Sequence, residues 1–248
     1  MQKNMVIDFH SHILPKMDDG SKNTEMSLEM LKRMRETGTD LVFATSHCYG
    51  HREPVERFLH RRQHAWERLL EHELPEGLEV RLGAEVAFFS GLPQVDSEFL
   101  DQLCLEGTHT LLLEMPFHPW SGMELDGVSE LMLDRGYGVM LAHFERFLEF
   151  QSDESIWKRI MKLPVQLQMN AETLLPWLHR GKWLKYFEDE KRIPVLGSDS
   201  HNLERRPPNL SEGRKILEKK LGAETLERVD RLGCALLESK VQSLGGQA

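Results

Sequence analysis

The sequence predicts an α/β protein in which parallel strands form a closed or distorted barrel surrounded by helices. Short apolar runs alternate with amphipathic stretches along the 248 residues, and this alternation implies a parallel sheet with right-handed crossovers. The apolar runs are nearly continuous, as expected of strands that are covered on both faces. The chain contains no dinucleotide-binding fingerprint, which would have favoured an open sheet. A barrel is therefore the predicted fold.

Seven strands and seven helices follow from this pattern, together with a shorter helical stretch within 93–104. No linker, repeat or low-complexity segment divides the chain, so we expect a single domain over residues 1–248. The barrel should occupy about residues 5–210, and helices should continue over about residues 210–240. The predicted strands are 5–10, 41–47, 80–88, 110–115, 139–143, 165–170 and 195–198, and the predicted helices are 24–36, 55–74, 125–135, 154–163, 175–190, 210–221 and 223–239.

Composition excludes several functional classes. Forty per cent of the residues are hydrophobic, 29% are charged, and the formal net charge is −9. A nucleic-acid-binding protein would normally carry a basic face, so no nucleic-acid partner is expected. No stretch approaches the roughly 18–20 apolar residues of a membrane span, and Asp8 and His10 stand where a signal peptide would need an apolar run. Cys48, Cys104 and Cys234 are widely spaced and form no C-x-x-C pair, so we expect a cytoplasmic protein.

Ionisable side chains follow the predicted strands in order. The first strand leads into His10-Ser11-His12. In an extended chain, residues i and i+2 point the same way, so both imidazoles can reach one metal ion. An isolated pair of this kind is more often chance than a ligand pair. The pattern recurs, however, because the second strand ends at His47, the third carries Gly-Ala-Glu85, the fourth ends Leu-Leu-Leu-Glu114, the fifth ends at His143 and the seventh is followed by Asp199-Ser-His201.

Six of the seven predicted strands therefore deliver an ionisable side chain at or near their carboxyl ends. Barrel enzymes build their active sites at this edge. A single charge closing an apolar run could simply mark where a strand meets water. That alternative explains poorly why five of the chain's twelve histidines fall at these ends. The joint pattern predicts a metal site.

The Asp18-Asp19-Gly20 turn closely follows His12 and could return a further carboxylate to the site. One tetrahedral zinc ion needs only about four ligands, so a larger set with bridging carboxylates suits two or three divalent ions. Imidazole and carboxylate without thiolate fit Mn, Fe, Zn or Co. The nine candidate metal ligands are His10, His12, Asp19, His47, Glu85, Glu114, His143, Asp199 and His201.

Two arginines follow candidate ligands closely. Arg146 lies three residues past His143, and Arg206 lies five past His201. Guanidinium groups bind a tetrahedral oxyanion through paired hydrogen bonds. Both arginines are therefore candidates for phosphate binding and catalysis, although loop arginines are usually solvated. We expect only one of the neighbours Arg205 and Arg206 to face inward.

Seven motifs stand in a fixed order along about residues 5–210. They are His-Ser-His-Ile-Leu-Pro with Asp-Asp-Gly, Ala-Thr-Ser-His, Gly-Ala-Glu, Leu-Glu-Met-Pro, Ala-His-Phe-Glu-Arg, Gln-Met-Asn-Ala and Gly-Ser-Asp-Ser-His. This ordered set resembles the polymerase and histidinol phosphatase (PHP) superfamily. Within it, the chain is similar to the bacterial metal-dependent protein-tyrosine phosphatases of capsule and exopolysaccharide synthesis.

The resemblance implies a distorted seven-stranded barrel with a trinuclear metal centre, and it implies phosphate binding by Arg146 and Arg206. It assigns His10, His12, Glu85 and Asp199 to one ion, Glu85, Glu114 and His143 to a second, with Glu85 bridging, and Asp19, His47 and His201 to a third.

The same resemblance implies hydrolysis of phosphotyrosine on a protein, with an autophosphorylating bacterial tyrosine kinase as the partner. One alternative is a phosphatase for a small metabolite such as histidinol phosphate. An alternative of another class is a non-catalytic, metal-stabilised interaction module. Substitution of other residues at the metal-ligand positions would indicate this alternative. Cysteine-phosphatase chemistry is excluded because no cysteine of the chain has an arginine six positions later.

Two loops that border the expected site, 48–52 and 117–120, are less typical of the family. They contain Tyr49, Phe117 and Trp120, which are predicted to contact the substrate by covering the phosphotyrosine ring. Their alternative role is partial burial against neighbouring loops.

Overall fold

The computed structural model describes residues 4–151, 154–176, 180–189 and 192–238. All strand pairings among these residues are parallel, which confirms the predicted α/β class. The strands are β1 (Ile7–Ser11), β2 (Leu41–Ala44), β3 (His47–Cys48), β4 (Glu79–Leu82), β5 (Glu85–Ala87), β6 (Thr110–Glu114), β7 (Gly138–Leu141), β8 (Gln166–Asn170) and β9 (Val195–Gly197).

Helices connect most of these strands and end the described chain. A π-helical turn, Glu130–Asp134, continues the fourth α-helix, and 3-10 turns occur at Leu92–Gln94 and Ala171–Leu174. None of the described helices is long and apolar enough to cross a membrane. The α-helices are α1 (Thr24–Glu36), α2 (Val55–Leu70), α3 (Ser97–Leu103), α4 (Gly122–Ser129), α5 (Phe144–Leu148), α6 (Glu154–Ile160), α7 (Arg180–Glu188), α8 (Leu210–Leu221) and α9 (Ala223–Glu238).

The strands form two sheets that curl around one interior. One sheet has the order β1-β2-β4, and the other has the order β3-β5-β6-β7-β8-β9. The sheets meet where β1 lies beside the end of β9. There the His12 amide donates to the Ser200 carbonyl at 2.8 Å, and the Asp199 amide donates to the His10 carbonyl at 2.7 Å. The carboxyl ends of the strands therefore surround a common space.

Two predicted strands are each interrupted. The predicted strand 41–47 is observed as β2 and β3, and the predicted strand 80–88 is observed as β4 and β5. At the first interruption the Ser11 amide donates to the Thr45 hydroxyl at 3.1 Å instead of to a backbone carbonyl. The Glu85 amide is shared between the Thr45 and Ser46 carbonyls, at 3.1 and 3.2 Å. The described strands therefore number nine in two sheets, where the sequence predicted seven in one.

Helix ends follow local capping chemistry. The predicted bounds of α1 are confirmed, and the Asn23 side chain accepts a backbone amide of its first turn at 2.9 Å. The predicted helix 125–135 begins earlier than expected, as α4, because Ser121 and Glu124 form a reciprocal capping box. The predicted helix 175–190 is observed only as α7, and residues 177–179 and 190 lie outside the described part of the chain.

The interior is apolar at one end and polar at the other. Buried side chains of β1, β2, β6, β7 and β9 fill the apolar end, where the rings of Phe9 and Phe43 stack with centroids 5.6 Å apart. Helix α9 covers this end closely, since a side-chain carbon at Gly233 would lie 3.2 Å from the Phe9 ring. The polar end, at the carboxyl ends of the strands, contains buried histidines and carboxylates.

Candidate metal centre

Two histidines at the end of β1 are fully buried and face one point. His10 Nε2 lies 3.1 Å from His12 Nε2. The Nδ1 atom of each ring faces a hydrogen-bond acceptor, since Gln168 Oε1 lies 3.0 Å from His10 Nδ1 and Asp18 Oδ2 lies 2.8 Å from His12 Nδ1. These acceptors favour the tautomers in which Nδ1 carries the proton. Both Nε2 lone pairs are then free to bind a cation.

Asp18 was not among the predicted ligands, although it precedes one. Its carboxylate also accepts from the backbone amides of Gly20 and His47, both at 2.9 Å. Burial opposes ionisation of Asp18, but the neighbouring His12 imidazole outweighs it and holds the pKa well below its usual range. Asp18 therefore orients the His12 ring through its Nδ1 atom. The doubled acid Asp18-Asp19 was the only signal for this role in the sequence.

Asp19 faces the other side of the same turn and is largely exposed. Its Oδ1 lies 3.6 Å from His47 Nε2 and 3.4 Å from His201 Nε2. The ring centroid of His201 lies 3.8 Å from that of His12. The structure thus brings Asp19, His47 and His201 together, with His12 beside them.

Glu85 lies at the centre of the cluster. Its Oε2 lies 3.2 Å from His10 Nε2 and 3.3 Å from His12 Nε2. The same oxygen lies 2.8 Å from His47 Nδ1, and Oε1 lies 2.7 Å from His143 Nε2. Burial opposes ionisation of Glu85, but His10 and His47 outweigh it, so its pKa is well below its usual range. A carboxylate among four imidazoles has the position of a bridging ligand.

Glu114 ends β6 and is 12% exposed. Its Oε1 lies 3.7 Å from His143 Nε2, and its Oε2 lies 4.0 Å from His47 Nδ1. Burial, and then the nearby Glu85 carboxylate, raise the pKa of Glu114 to about 7. A divalent cation between the two carboxylates would favour the ionised form of both.

The backbone is strained at two of the candidate ligands. His143 and Asp199 adopt positive φ angles of 28° and 51°. Non-glycine residues rarely occupy this region, and such strain clusters at functional sites. It directs the Asp199 carboxylate inward, with Oδ1 3.4 Å from His12 Nε2.

Both predicted arginines approach Asp199 from the more exposed side of the centre. Arg206 Nη2 lies 2.5 Å from Asp199 Oδ2, and Arg206 Nη1 lies 2.8 Å from His201 Nε2. Arg146 is 47% exposed, and its Nη1 lies 3.8 Å from the same Asp199 oxygen. The neighbouring Arg205 is exposed. Two guanidinium groups therefore converge beside the cluster, where an oxyanion could bind.

The three predicted aromatic contacts occupy different positions. Tyr49 stacks on the His47 ring with centroids 5.1 Å apart. Phe117 is 40% exposed, and its ring centroid lies 6.0 Å from that of His143. Trp120 is only 6% exposed, and its Nε1 donates to the Pro116 carbonyl at 2.9 Å. The Trp120 ring packs against Phe147 of α5 and Trp157 of α6, with centroids 5.7 and 6.1 Å apart. This burial favours the alternative role of Trp120, which is packing against neighbouring segments.

β8 supplies two amide side chains that the sequence analysis did not assign. Besides contacting His10, Gln168 Oε1 accepts from the His143 backbone amide at 2.8 Å. Asn170 Nδ2 donates to Asp199 Oδ2 at 2.7 Å. Alternate residues of a strand face the same side, so the alternation of polar residues along β8 was the available signal.

The side chains present fit bound divalent ions. Among the described residues, His143 Nδ1 is buried without a hydrogen-bond partner, and Glu85 Oε2 lies within 3.3 Å of three imidazoles without forming a hydrogen bond. The facing Nε2 lone pairs of His10 and His12 would repel one another unless a cation or proton lay between them. Imidazole and carboxylate donors without thiolate suit Mn, Fe, Zn or Co. In the part of the chain that the structure describes, four groups have ligand atoms within 4.8 Å of one another: His12, Asp19, His47 and His201; His10, Glu85 and His143; His10, His12 and Asp199; His47, Glu85 and Glu114.

The sequence is similar to known proteins along most of its length. The CpsB/CapC family model, described as capsular polysaccharide synthesis, matches residues 6–233. The chain is 29% identical over 233 residues to the tyrosine-protein phosphatase CpsB of Streptococcus agalactiae serotype III, covering 88% of this chain and 92% of that protein. It is 29% identical over 227 residues to the tyrosine-protein phosphatase YwqE of Bacillus subtilis, covering 88% of this chain and 86% of that protein.

Solved structures show the same likeness. One, from work on YwqE of Bacillus subtilis and CpsB of Streptococcus pneumoniae as unique metal-dependent tyrosine phosphatases, matches with a TM-score of 0.78 at 26% identity. The match covers 95% of this chain and 96% of that chain. An amidohydrolase from Mycoplasma synoviae matches with a TM-score of 0.54 at 14% identity, covering 95% of this chain and 88% of that chain, and shows a shared fold alone.

Proposed function

The chain belongs to the CpsB/CapC family of capsular polysaccharide synthesis, and on this basis we propose that it is a metal-dependent protein-tyrosine phosphatase. The observation that carries the proposal is the convergence of nine imidazole and carboxylate side chains beside Arg146 and Arg206. Such a centre suits phosphoryl transfer, in which positioning and charge stabilisation do most of the catalysis. Relatives named tyrosine-protein phosphatase support the substrate class.

We propose that the cluster binds two to three divalent ions of Mn, Fe, Zn or Co. When bound, they would supply a nucleophilic water at neutral pH and positive charge for the phosphoryl oxygens. Glu85, central among the imidazoles, would be shared between neighbouring ions. The proposed ligand sets are His10, His12, Glu85 and Asp199 for one ion, Glu85, Glu114 and His143 for the second, and Asp19, His47 and His201 for the third.

The two arginines would bind and orient the phosphoryl group. Both guanidinium groups contact Asp199, Arg206 at 2.5 Å and Arg146 at 3.8 Å. A phosphoryl group bound between the two guanidinium groups could accept paired hydrogen bonds from both. Their charge would then stabilise the equatorial oxygens in the transition state. Tyrosine has a pKa of about 10, so its phenolate can leave without a strong general acid.

The mouth of the site supports a phosphotyrosine substrate on a protein. Tyr49 stands on the His47 side, and the partly exposed Phe117 stands on the His143 side. These rings could cover the phosphotyrosine ring while the peptide backbone stays outside. A small-metabolite phosphatase would instead need a closed pocket with polar groups around the whole ligand. The proposed partner is an autophosphorylating bacterial tyrosine kinase of capsule or exopolysaccharide synthesis, in the cytoplasm.

We also propose that the fold is a distorted seven-stranded barrel, if β2 with β3 and β4 with β5 are each counted as one strand. One domain would then span residues 1–248, with the barrel over about 5–210. The contact between β1 and the end of β9, and a structural match covering 95% of the chain, support this arrangement.

The function is tested by comparing substrates on the metal-loaded enzyme. A phosphotyrosine peptide, the same peptide with phosphoserine, and histidinol phosphate are compared by kcat/KM. We expect the phosphotyrosine peptide to be preferred by at least about tenfold, equivalent to about 1.4 kcal/mol in transition-state binding. A tenfold preference for histidinol phosphate would replace the protein-phosphatase proposal with the metabolite alternative. If no phosphomonoester were hydrolysed, the non-catalytic interaction module would be the remaining alternative.

A further inference from the structure

A groove of about 320 Å³ adjoins the metal centre and shares Phe117 and Arg146 with it. Phe150 and Trp183 complete its aromatic walls, and the buried Glu145 also lines it. A water molecule takes up about 30 Å³ of liquid, so the groove has room for one extended side chain. Neither the proposed metal ligands nor the proposed phosphate contacts explain its chemistry.

Two of the three aromatic side chains that wall the groove are open to solvent, and the third, Trp183, is buried. Phe117 and Phe150 are 40% and 43% exposed, and their rings meet edge to face with centroids 5.9 Å apart. The Arg146 guanidinium carbon lies 5.0 Å from the Phe117 ring centroid. Arg146 is also the proposed phosphate ligand, so the groove is continuous with the place where the phosphoryl group would bind.

Glu145 carries an unsatisfied acceptor in this lining. Its side chain is only 3% exposed. Oε1 accepts from the Asn170 backbone amide and from the Thr173 hydroxyl, both at 2.9 Å. Oε2 has no hydrogen-bond partner among the described residues. A buried carboxylate oxygen without a donor is unfavourable, unless a ligand supplies that donor.

The charges around the groove favour a cationic ligand. Lys182 Nζ lies 3.9 Å from Glu149 and 4.2 Å from the Trp183 ring centroid, so these two charges already balance. Arg146 would be occupied by the phosphoryl group of a bound substrate. Within the described part of the chain, Glu145 Oε2 is then left without a hydrogen-bond donor beside the aromatic walls. Aromatic faces and a carboxylate together suit a long apolar stem with a positive tip.

We propose that this groove binds a lysine or arginine side chain of the substrate protein, close in sequence to the phosphotyrosine. The aliphatic stem would pack on Phe117 and Phe150, and the cationic tip would donate to Glu145 Oε2. Because an extended chain advances about 3.3 Å per residue, the basic residue should lie about one to three positions from the phosphotyrosine. This inference rests on the proposed phosphatase function and adds a sequence preference to it.

The test uses the full-length, metal-loaded enzyme and phosphotyrosine peptides that differ at one position. Lysine, norleucine and glutamate are placed in turn at each of three positions on either side of the phosphotyrosine. Norleucine retains the aliphatic stem of lysine and lacks the ammonium group, with its charge and its N–H donors. We expect lysine to exceed norleucine by roughly tenfold in kcat/KM at one position at least, mainly through KM, as for a buried charge-assisted hydrogen bond. Glutamate should be the poorest of the three.

Two variants and a control assign the preference to the groove. Glu145→Gln retains an acceptor for Thr173 and Asn170 but places an amide donor where the free oxygen was. The ratio of kcat/KM for the lysine peptide to that for the norleucine peptide should therefore fall to about one. Phe150→Ala removes a wall that contacts the stem and should lower kcat/KM for both peptides. Leu133→Ala changes a residue that is 66% exposed outside the groove and should retain the wild-type ratio.

Each outcome decides the proposal. Equal kcat/KM for lysine and norleucine at every position in the wild type would overturn it and leave the phosphatase proposal standing. A full lysine preference in Glu145→Gln would also overturn the proposal. An undiminished kcat/KM for the lysine peptide in Phe150→Ala would overturn it as well, and this second variant decides the proposal if Glu145→Gln does not fold. No hydrolysis of any phosphotyrosine peptide would instead contradict the proposed function itself.

Discussion

Asp18 Oδ2 lies 2.8 Å from His12 Nδ1, and the same oxygen accepts a hydrogen bond from the His47 backbone amide at 2.9 Å. One residue outside the proposed ligand set thus positions two residues within it. Carboxylates behind metal-binding histidines fix the ring orientation and raise the basicity of the ligand. The geometry of the cluster therefore depends on this residue.

Asp18→Asn is expected to fold but to bind metal about 10–100-fold more weakly, because the amide is a poorer acceptor for the His12 ring. Metal content after dialysis against graded chelator measures the effect. Asp126→Asn, on the exposed face of α4, is the matched control. Wild-type metal retention in Asp18→Asn would show that the contact does not position His12.

Removal of metal should abolish activity. Protein purified without chelator is expected to carry more than one divalent ion per chain, measured by elemental analysis. His10→Ala and Asp199→Ala should lose metal and activity together, because each removes a proposed ligand and metal affinity depends on the complete set. Full activity in exhaustively chelated enzyme would contradict the metal-dependent mechanism.

The arginines should affect turnover without affecting metal content. Arg146→Ala and Arg206→Ala are each expected to lower kcat by roughly 10²-fold, as for removal of a preorganised charge stabiliser. Elemental analysis should find the wild-type number of ions in both variants. Arg205→Ala, which changes an exposed neighbour, should retain wild-type kcat. Wild-type kinetics in the first two variants would assign both arginines to the surface.

Gly20 is needed for the close return of the Asp18-Asp19 turn. A side-chain carbon there would lie 2.4 Å from the His12 carbonyl oxygen and 2.5 Å from His12 Cβ. Gly20→Ala is expected to lower the free energy of unfolding by about 1–3 kcal/mol, as for overpacking, and to reduce metal content by displacing Asp19. Gly122→Ala is the control, since nothing lies within 4 Å of its added carbon. Equal melting temperatures and metal content in the two variants would disprove the steric argument.

Thiol alkylation should leave activity intact. Burial, and then the Glu53 carboxylate, raise the pKa of Cys48 to about 12. Because a raised pKa keeps the thiol protonated at all lower pH values, and only the thiolate is nucleophilic, Cys48 should not react with iodoacetamide at pH 8. Labelling is followed by mass spectrometry, with the partly exposed Cys234 as the positive control for the reagent. Loss of activity in step with labelling of Cys48 would contradict this expectation.

Much of the candidate site could be predicted because strand ends are visible in the sequence. Apolar runs that stop at His47, Glu114 and His143, and one that carries Glu85 near its end, place those residues at one edge, whatever the details of the fold. The strand breaks could not be predicted. The break between β2 and β3 lies at Thr45, whose hydroxyl replaces a backbone acceptor for the Ser11 amide, and the sequence pattern does not reveal that exchange.

Contacts between distant segments were also beyond the sequence. Trp120 and Phe117 stand in the same short loop, yet one is buried and the other exposed. Both rings contact Phe147 of α5, and their sequence separation does not indicate which of them becomes buried. Gln168 and His10 are far apart in sequence, and their contact at 3.0 Å arises only when β8 and β1 face the same interior.

By itself the sequence determined the parallel α/β class, the edge that carries the chemistry, and the residue types gathered there. These follow from periodicity and from side-chain chemistry, which are local properties of the chain. Only the tertiary structure decided that Asp18 supports His12 while Asp19 faces His47 and His201. It also decided that Glu145 carries an unpaired oxygen beside an aromatic groove. The physical reason is that the turn, the buried orientation of each side chain and its hydrogen-bond partners depend on distant segments packing together.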